Sequence, residues 1–353
     1  MTELITLSKK DSRFSSYIDG TFSKIQRALP LESLNVSTDS EQVTFRVIAV
    51  KDIAKSFWGF RWLQILKIRN FVLIGFPVVL ILLKNAVNHE IRDPLTAVLS
   101  TLGAFFLMTA LNLRNDYIDH ISGLDRVHPQ SGSRAIQNGW VTARAVLNWS
   151  WVYLALGFVF GLRALILYKE VLILLAVFAG LGILGITSYK MGFKYRRWSE
   201  WTVFWLLGPF LTLGIQLSTG AGHSLESLLL GFITGWIAVF YIHLKNFEQL
   251  LVNDQAKFQN TMTWLKFEKG KWFLAAWWLL FFAIQTGFHH FYSGLGWRLI
   301  FAVATALMTI PFIFRLQVLK SPVGSGSREL YDQGRKMIYA VMGLWLLQQI
   351  WYL

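Results

Sequence analysis

The chain's most constraining feature is a succession of nine apolar runs, near 71–87, 95–113, 144–162, 171–187, 201–217, 228–243, 272–288, 297–314 and 337–353. A bilayer offers no water to backbone polar groups, so each crossing run must satisfy its own as a helix. A crossing takes about 20 apolar residues. The shorter runs reach that length with the amphipathic residues on their flanks. The reading is an all-α, polytopic integral membrane protein with nine transmembrane helices. Composition agrees: 54% of the 353 residues are hydrophobic, and the 16 Trp recur near run ends, where indoles anchor at the interface.

Basic residues test the count. With the N-terminus inside, 29 of the 34 Lys and Arg fall on one side of the membrane. The other five are Lys84, Arg92, Arg163, Lys169 and Arg298. This is the positive-inside bias expected of nine crossings, and a missed run would scramble it. The formal charge of +14 is thereby explained by topology. No nucleic-acid module accompanies it, so no nucleic-acid partner is expected. The connections after the second and sixth runs are long, about 30 residues each. A site covered by them opens to the cytoplasm.

There is no cysteine, which excludes disulfides, zinc-thiolate sites and catalytic thiols. The first residues, "MTELITLSKKDSRFSS", are polar and hold no signal-peptide core. Residues 1–56 read as a polar cytoplasmic extension ahead of a membrane domain over 57–353. Within it "STDSEQVTFRVIAVKD" alternates mildly, as a strand does, but is too short to stand as a domain. "IAKSFWGFRWLQILKIRN" follows, and reads equally as an interfacial helix or as an extension of the first crossing.

The stretch with chemistry is "LNLRNDYIDHISGLDRVHP", directly after the second run. Asp116 and Asp119 are three apart and share a helix face. Asn115 adds an amide oxygen. Gly123 lets the backbone turn and return Asp125. Oxygen donors without sulfur suit a hard cation, and Mg²⁺ in particular binds through one or two carboxylates plus phosphate oxygens. The plain alternative is a solvated acidic loop. Against it stand Arg134 in "SGSRAIQNG" and Lys190, Lys194, Arg196 and Arg197 after the fourth run. Carboxylates, a cation and fixed basic groups on one membrane face describe a diphosphate site.

"NDYIDHISGLD" resembles the first Asp-rich motif of the UbiA-type intramembrane prenyltransferases, and its Gly-Leu-Asp ending is similar to the 1,4-dihydroxy-2-naphthoate polyprenyltransferase branch. "YKMGFKYRRWSEWTVFWLLGPFLTLG" is similar to that branch's segment between the fourth and fifth spans, with Lys194, Tyr195, Glu200, Phe204, Gly208, Pro209 and Gly214 at matching places. The resemblance covers about residues 65 to 350. It implies nine helices around a central cavity, in a bacterial-type inner membrane. It also implies transfer of a polyprenyl group from its diphosphate to an aromatic, quinone-precursor-like acceptor, with Mg²⁺ as cofactor. By the same resemblance Asp116, Asp119 and Asp125 are metal ligands, with Asp116, Asp119 and Lys194 catalytic. Asn115, Arg134, Lys194 and Asn246 bind the diphosphate.

The family's second motif departs from its pattern here. In "HLKNFEQLLVNDQAKFQNTMTWL" Asp254 falls on the last acid and Asn246 on an early Asn, while Leu250 replaces the preceding acid and Gln249 an Arg. Glu248 is the nearest substitute, six residues from Asp254 and off its helical face. Asp254, with Glu248 or Asn246, is expected to serve a weaker second ion. The departure leaves two alternatives: a homologue that binds prenyl diphosphate with weak or lost catalysis, and a transporter or scaffold. His243, at the end of the sixth run, reads as a packing histidine ahead of an acceptor contact. His289 and His290 read as interfacial.

Overall fold

The computed structural model describes residues 3–353 apart from 37, 55–56, 128–131, 188–197 and 256–257. Helices α3 (Phe71–Val87), α4 (Pro94–Ser122), α6 (Ala143–Leu167) and α7 (Lys169–Thr187) come first. A segment interrupted in mid-course follows: α8 (Ser199–Trp205), a π turn at Leu206–Phe210, and α9 (Leu211–Ser218). Then come α10 (Leu225–Glu248), α12 (Thr261–Tyr292), α13 (Leu295–Val318) and α14 (Ser325–Trp351). The short helices α2 (Trp58–Ile65), α5 (Leu124–Val127) and α11 (Leu250–Gln255) lie among them.

Among the described residues, seven helical segments are long and apolar enough to cross a membrane. The remaining apolar runs, 171–187 and 337–353, lie in α7 and α14. The latter opens with polar turns carrying Arg328, Glu329, Asp332 and Arg335. Outward faces of α6, α7 and α13 expose Val159, Ile166, Leu181, Leu307, Ile310 and Phe314, the surface of a chain solvated by lipid. These helices and their lipid-facing surface are those of an integral membrane protein.

α10 is the central post. Its buried face, from Leu230 through Phe240 to Phe247, packs against α12, α14 and the interrupted helix. Trp278, Phe281, Phe312 and Trp345 fill the space around it. Small residues set the closest approach: a Cβ on Gly208 would stand 2.4 Å from the Gly231 carbonyl oxygen. Backbones meet this closely in membrane bundles because dispersion, and not expulsion of water, holds helices together there. Gly208 and Pro209 also create the interruption, since proline removes one helical hydrogen bond and Gly208 leaves helical geometry.

The polar extension is folded. β1 (Glu3–Ser8), β2 (Gln26–Leu34) and β3 (Gln42–Ala49) form an antiparallel sheet in the order β1-β3-β2, with helix α1 (Phe14–Asp19) packed on it. The alternation seen in sequence is that of β3: Val43, Phe45 and Val47 are buried, and Gln42 and Arg46 point out. Leu7, Phe14 and Ile18 complete a small core of its own. The sheet is the one departure from an all-α architecture among the described residues, and it lies outside the helical bundle.

Helix α2 ends at Ile65 with Leu66 as its cap, and Lys67 adopts a left-handed backbone (φ 51°) before a 3-10 turn leads into α3. It is therefore a separate helix and not a continuation of the first crossing.

Candidate active site

Asp93 caps the start of α4 by accepting from the Thr96 amide at 3.0 Å, and Pro94 occupies the first turn. From there Asp116 lies about 33 Å along the axis, just past a hydrocarbon layer of about 30 Å. The apolar run thus delivers its acids to one rim of the bilayer. Gly123, in left-handed geometry at φ 87°, stops the helix, and its amide bonds back to the His120 carbonyl. The chain folds into α5, which returns Asp125. Asp116, Asp119 and Asp125 are all buried, at 3%, 4% and 2% exposure.

Three buried carboxylates require compensation. Lys67 supplies part of it: its ammonium pairs with Asp116 and interacts with Asp119 and Asp125 as well. Burial alone would lower the Lys67 pKa, but the carboxylates outweigh it and raise it above 10.5, so the side chain stays charged. Local structure explains its aim. Asn112 on α4 accepts from Asn70 at 3.1 Å and donates to the Leu66 carbonyl at 3.2 Å, clamping the turn that carries Lys67. Sequence reasoning missed this residue because it lies in a basic stretch read as topology.

The loop after α5 closes over the acids. Arg134, itself left-handed at φ 58°, donates to the Asp125 main-chain oxygen at 3.0 Å. Gln137 donates to Asp125 Oδ2 at 2.6 Å. Asn115 donates to Asp119 Oδ2 at 3.0 Å, so its amide nitrogen orients a carboxylate. Gly132, at φ 69°, faces the acids: a Cβ there would sit 3.2 Å from both Asp116 Oδ1 and Asp125 Oδ1. Lys194, with Lys190, Arg196 and Arg197, lies outside the described residues.

The second motif is arranged otherwise than the sequence suggests. Helix α11 packs against α5, bringing the two motifs together. Yet Asp254 is more than half exposed and pairs with Lys266 at 2.8 Å. Glu248 pairs with Arg328 at 3.4 Å. Asn246 is half-buried at the end of α10. The polar side chain that α11 buries is Asn253, whose Nδ2 has no hydrogen-bond partner among the described residues. Leu250 is part of the apolar core. His243 packs edge-on against Phe273 and Trp277, each centroid 5.0 Å away. His289 is buried between Phe301 and Trp345 and bonds Ser293 at 2.7 Å.

Does this set suit Mg²⁺? Among the described residues no three of His, Cys, Asp and Glu gather tightly enough to hold an ion unaided. Mg²⁺ does not ask for that: it keeps waters and completes its shell with phosphate oxygens. The acids already surround a cation, the Lys67 ammonium. Asp116 and Asp125 aim oxygens at one point that glycine leaves open. The residues fit the ion.

Below the acids runs an apolar cavity of about 190 Å³, walled by α3, α4, α6, α7, the π turn and α9. On α4 its lining residues Gly103, Leu107 and Leu111 recur every four residues. Asn115 lies one turn beyond Leu111, so the apolar lining ends beside the polar stretch that carries Asp116 and Asp119.

Comparison with known proteins bears on the fold and the family. The model of the UbiA prenyltransferase family matches residues 76–345, well over half of the chain. No curated protein matches the sequence. Among solved structures, a UbiA homolog from Archaeoglobus fulgidus bound to DMAPP and Mg²⁺ superposes with a TM-score of 0.58 at 13% identity, covering 80% of this chain and 99% of that one. The same homolog bound to GPP and Mg²⁺ gives the same values. A digeranylgeranylglyceryl phosphate synthase structure gives 0.54 at 18% identity, covering 82% and 98%. At such identities the likeness establishes the fold, and the family match establishes the kinship. With nearly its whole helical bundle matched, the chain belongs to the UbiA prenyltransferase family.

Proposed function

We propose that the protein is a Mg²⁺-dependent prenyltransferase that moves a polyprenyl group from its diphosphate to an aromatic, quinone-precursor-like acceptor within the membrane. The observation that carries this reading is the burial of Asp116, Asp119 and Asp125 beside Lys67, with Asp116 and Asp125 turned toward Gly132, next to the end of an apolar cavity. A substrate with a charged diphosphate and a long apolar tail has that shape. Support for the aromatic acceptor comes from the likeness of "NDYIDHISGLD" and the segment around Lys194 to the dihydroxynaphthoate branch.

In this reading Asp116, Asp119 and Asp125 hold the ion, and Asn115 keeps Asp119 oriented. Bound Mg²⁺ supplies the positive charge that stabilises a departing diphosphate. Lys67, Arg134 and Lys194 neutralise the remaining phosphate oxygens, and the Asn253 amide donates to one of them. Asn246, Glu248 and Asp254 flank a second, weaker ion. The C–O bond breaks toward an allylic cation as the diphosphate takes the electron pair. The acceptor ring attacks, and loses a proton to restore aromaticity. The groove excludes water that would otherwise trap the cation. The excess of basic residues supports a cytoplasmic N-terminus and cytoplasmic loops, with α7 and α14 as the eighth and ninth crossings of this reading.

Calorimetry of a non-hydrolysable geranylgeranyl diphosphate analogue tests the site, with Mg²⁺, with EDTA, and in Asp116→Ala. Binding that needs Mg²⁺ and is lost in the variant is expected. Binding indifferent to both removes the assignment. A second reading follows from Leu250 in the apolar core and Asp254 turned toward Lys266: a binding homologue with weak catalysis. Tight Mg²⁺-dependent binding with no transfer to any aromatic acceptor selects it.

A further inference from the structure

The first acidic motif is tied to the N-terminal sheet at two points, and both lead to Asp125. The first is an ion pair. Arg126 follows Asp125 on α5, and its guanidinium pairs with Glu41, at the edge of β3, with both side chains buried. Glu41 is itself fixed. It accepts from Ser33 Oγ on β2 at 2.7 Å and pairs with Lys9, next after β1, at 3.3 Å. The other arm of Arg126 donates to the His120 carbonyl at 2.8 Å.

The second tie is a relay. His120 Nε2 lies 3.0 Å from the Ile18 carbonyl of α1. A carbonyl only accepts, so Nε2 carries the proton and Nδ1 is an acceptor. Gln137 Nε2 stands 3.2 Å from that Nδ1 and 2.6 Å from Asp125 Oδ2. Its two amide protons serve one each. The relay thus requires neutral His120 in a single tautomer and Gln137 in a single amide orientation.

We infer that the N-terminal sheet is a positioning unit for the carboxylate of Asp125: Glu41 acting through Arg126, and Ile18 acting through His120 and Gln137, fix the direction in which Asp125 meets its cation. The inference rests on the proposed diphosphate site. Its physical ground is that α5 has only four residues, too few to hold a helix by its own hydrogen bonds. Mg²⁺ tolerates little deviation from octahedral geometry. Partners that orient ligating carboxylates therefore set affinity, typically by 10–100-fold. Asp116 and Asp119 ride on a long helix; Asp125 takes its aim from the sheet.

The test uses the full-length purified protein and calorimetric Mg²⁺ titration in the presence of the geranylgeranyl diphosphate analogue, with thermal unfolding followed in parallel. Gln137→Met keeps size and removes both amide donors. Glu41→Gln removes the charge that holds Arg126. The expected result is a half-saturating Mg²⁺ concentration raised by about 10–100-fold in Gln137→Met. Glu41→Gln shifts the same way by less, and the unfolding midpoint of Gln137→Met stays within a few degrees of wild type. A lowered midpoint with unchanged Mg²⁺ half-saturation marks a merely structural role and overturns the inference. If Gln137→Met fails to fold, Glu41→Gln decides alone on the same criterion. Wild-type protein with no Mg²⁺-dependent binding instead removes the diphosphate site itself, and the inference with it.

Discussion

Gly132→Ala separates the carboxylate cradle from ordinary backbone strain. Gly132 has φ 69°, so alanine there costs roughly 1–2 kcal/mol in left-handed strain alone. Its new methyl would meet Asp116 Oδ1 and Asp125 Oδ1 at 3.2 Å each. Contacts that short push both oxygens back by a few tenths of an ångström. Mg²⁺–oxygen bonds are held near 2.0–2.1 Å, so a displacement of that size spoils the site. We expect Mg²⁺-dependent binding of the geranylgeranyl diphosphate analogue to weaken at least tenfold, about 1.4 kcal/mol. Gly222→Ala is the control. It carries the same kind of strain, at φ 77°, with nothing within 4 Å of the added methyl. Both variants should lose comparable thermal stability, and only Gly132→Ala should lose Mg²⁺ affinity. Equal Mg²⁺ half-saturation in the two variants would refute the idea that Asp116 and Asp125 share a cation at this point.

Three further outcomes are expected. Asn253→Ala weakens analogue binding several-fold in the same calorimetry, because it removes a buried amide nitrogen that has no hydrogen-bond partner among the described residues; Asp254→Ala changes it by less than about twofold, in keeping with an exposed pair to Lys266. The reverse order would make Asp254, and not Asn253, the chief contribution of the second motif. Leu250→Asp places a carboxylate in the apolar core, destabilises the fold by on the order of 3–5 kcal/mol, and shows as a lower unfolding midpoint; a gain in turnover without that loss contradicts the packing. Glu41 gives a pH signature. Burial raises its pKa, but Arg126, Ser33 and Lys9 outweigh burial and hold it below its ordinary 4.5. A depressed carboxylate contributes stability that is whole above pH 4.5 and drains away as pH falls through the folded value. Limited proteolysis of the N-terminal sheet should therefore accelerate below about pH 4.5 and be steady from there to neutrality; protection unchanged down to pH 3 counts against the ion pair.

Features local in sequence were legible, and features made by distant pairing were not. The apolar runs became helices because a bilayer leaves the backbone no alternative. Asp116 and Asp119 share a face because helix periodicity suffices, and Gly123 gives the turn that brings the chain back toward them. The strand-like pattern of β3 was visible, but its partners β1 and β2 were not. A lone alternating segment is indistinguishable from a loop until its edges are paired. Lys67 stood among basic residues that topology already explained. Its role depends on a left-handed break and on Asn112, far along the chain, holding the turn.

The second motif is harder to read, for there alignment and burial single out different residues. Matching the ending "QNTMTWL" puts Asp254 on an acid position, whereas packing turns that face outward and buries the neighbouring Asn253. A helix of six residues presents different faces one residue apart, about 100° around the axis. Register therefore decides function, and sequence spacing does not fix register where a loop of unconstrained length follows. The same reasoning explains why the first motif could be read. Asp116 and Asp119 belong to a 29-residue helix whose register is set by a capped start, an apolar groove on one face and a glycine stop. An acid on such a helix has its direction determined many turns away. A polar residue on a short one takes its direction from whatever packs against it: Gln137 holds Asp125, and Asn253 rides on a helix packed against α12 and α5.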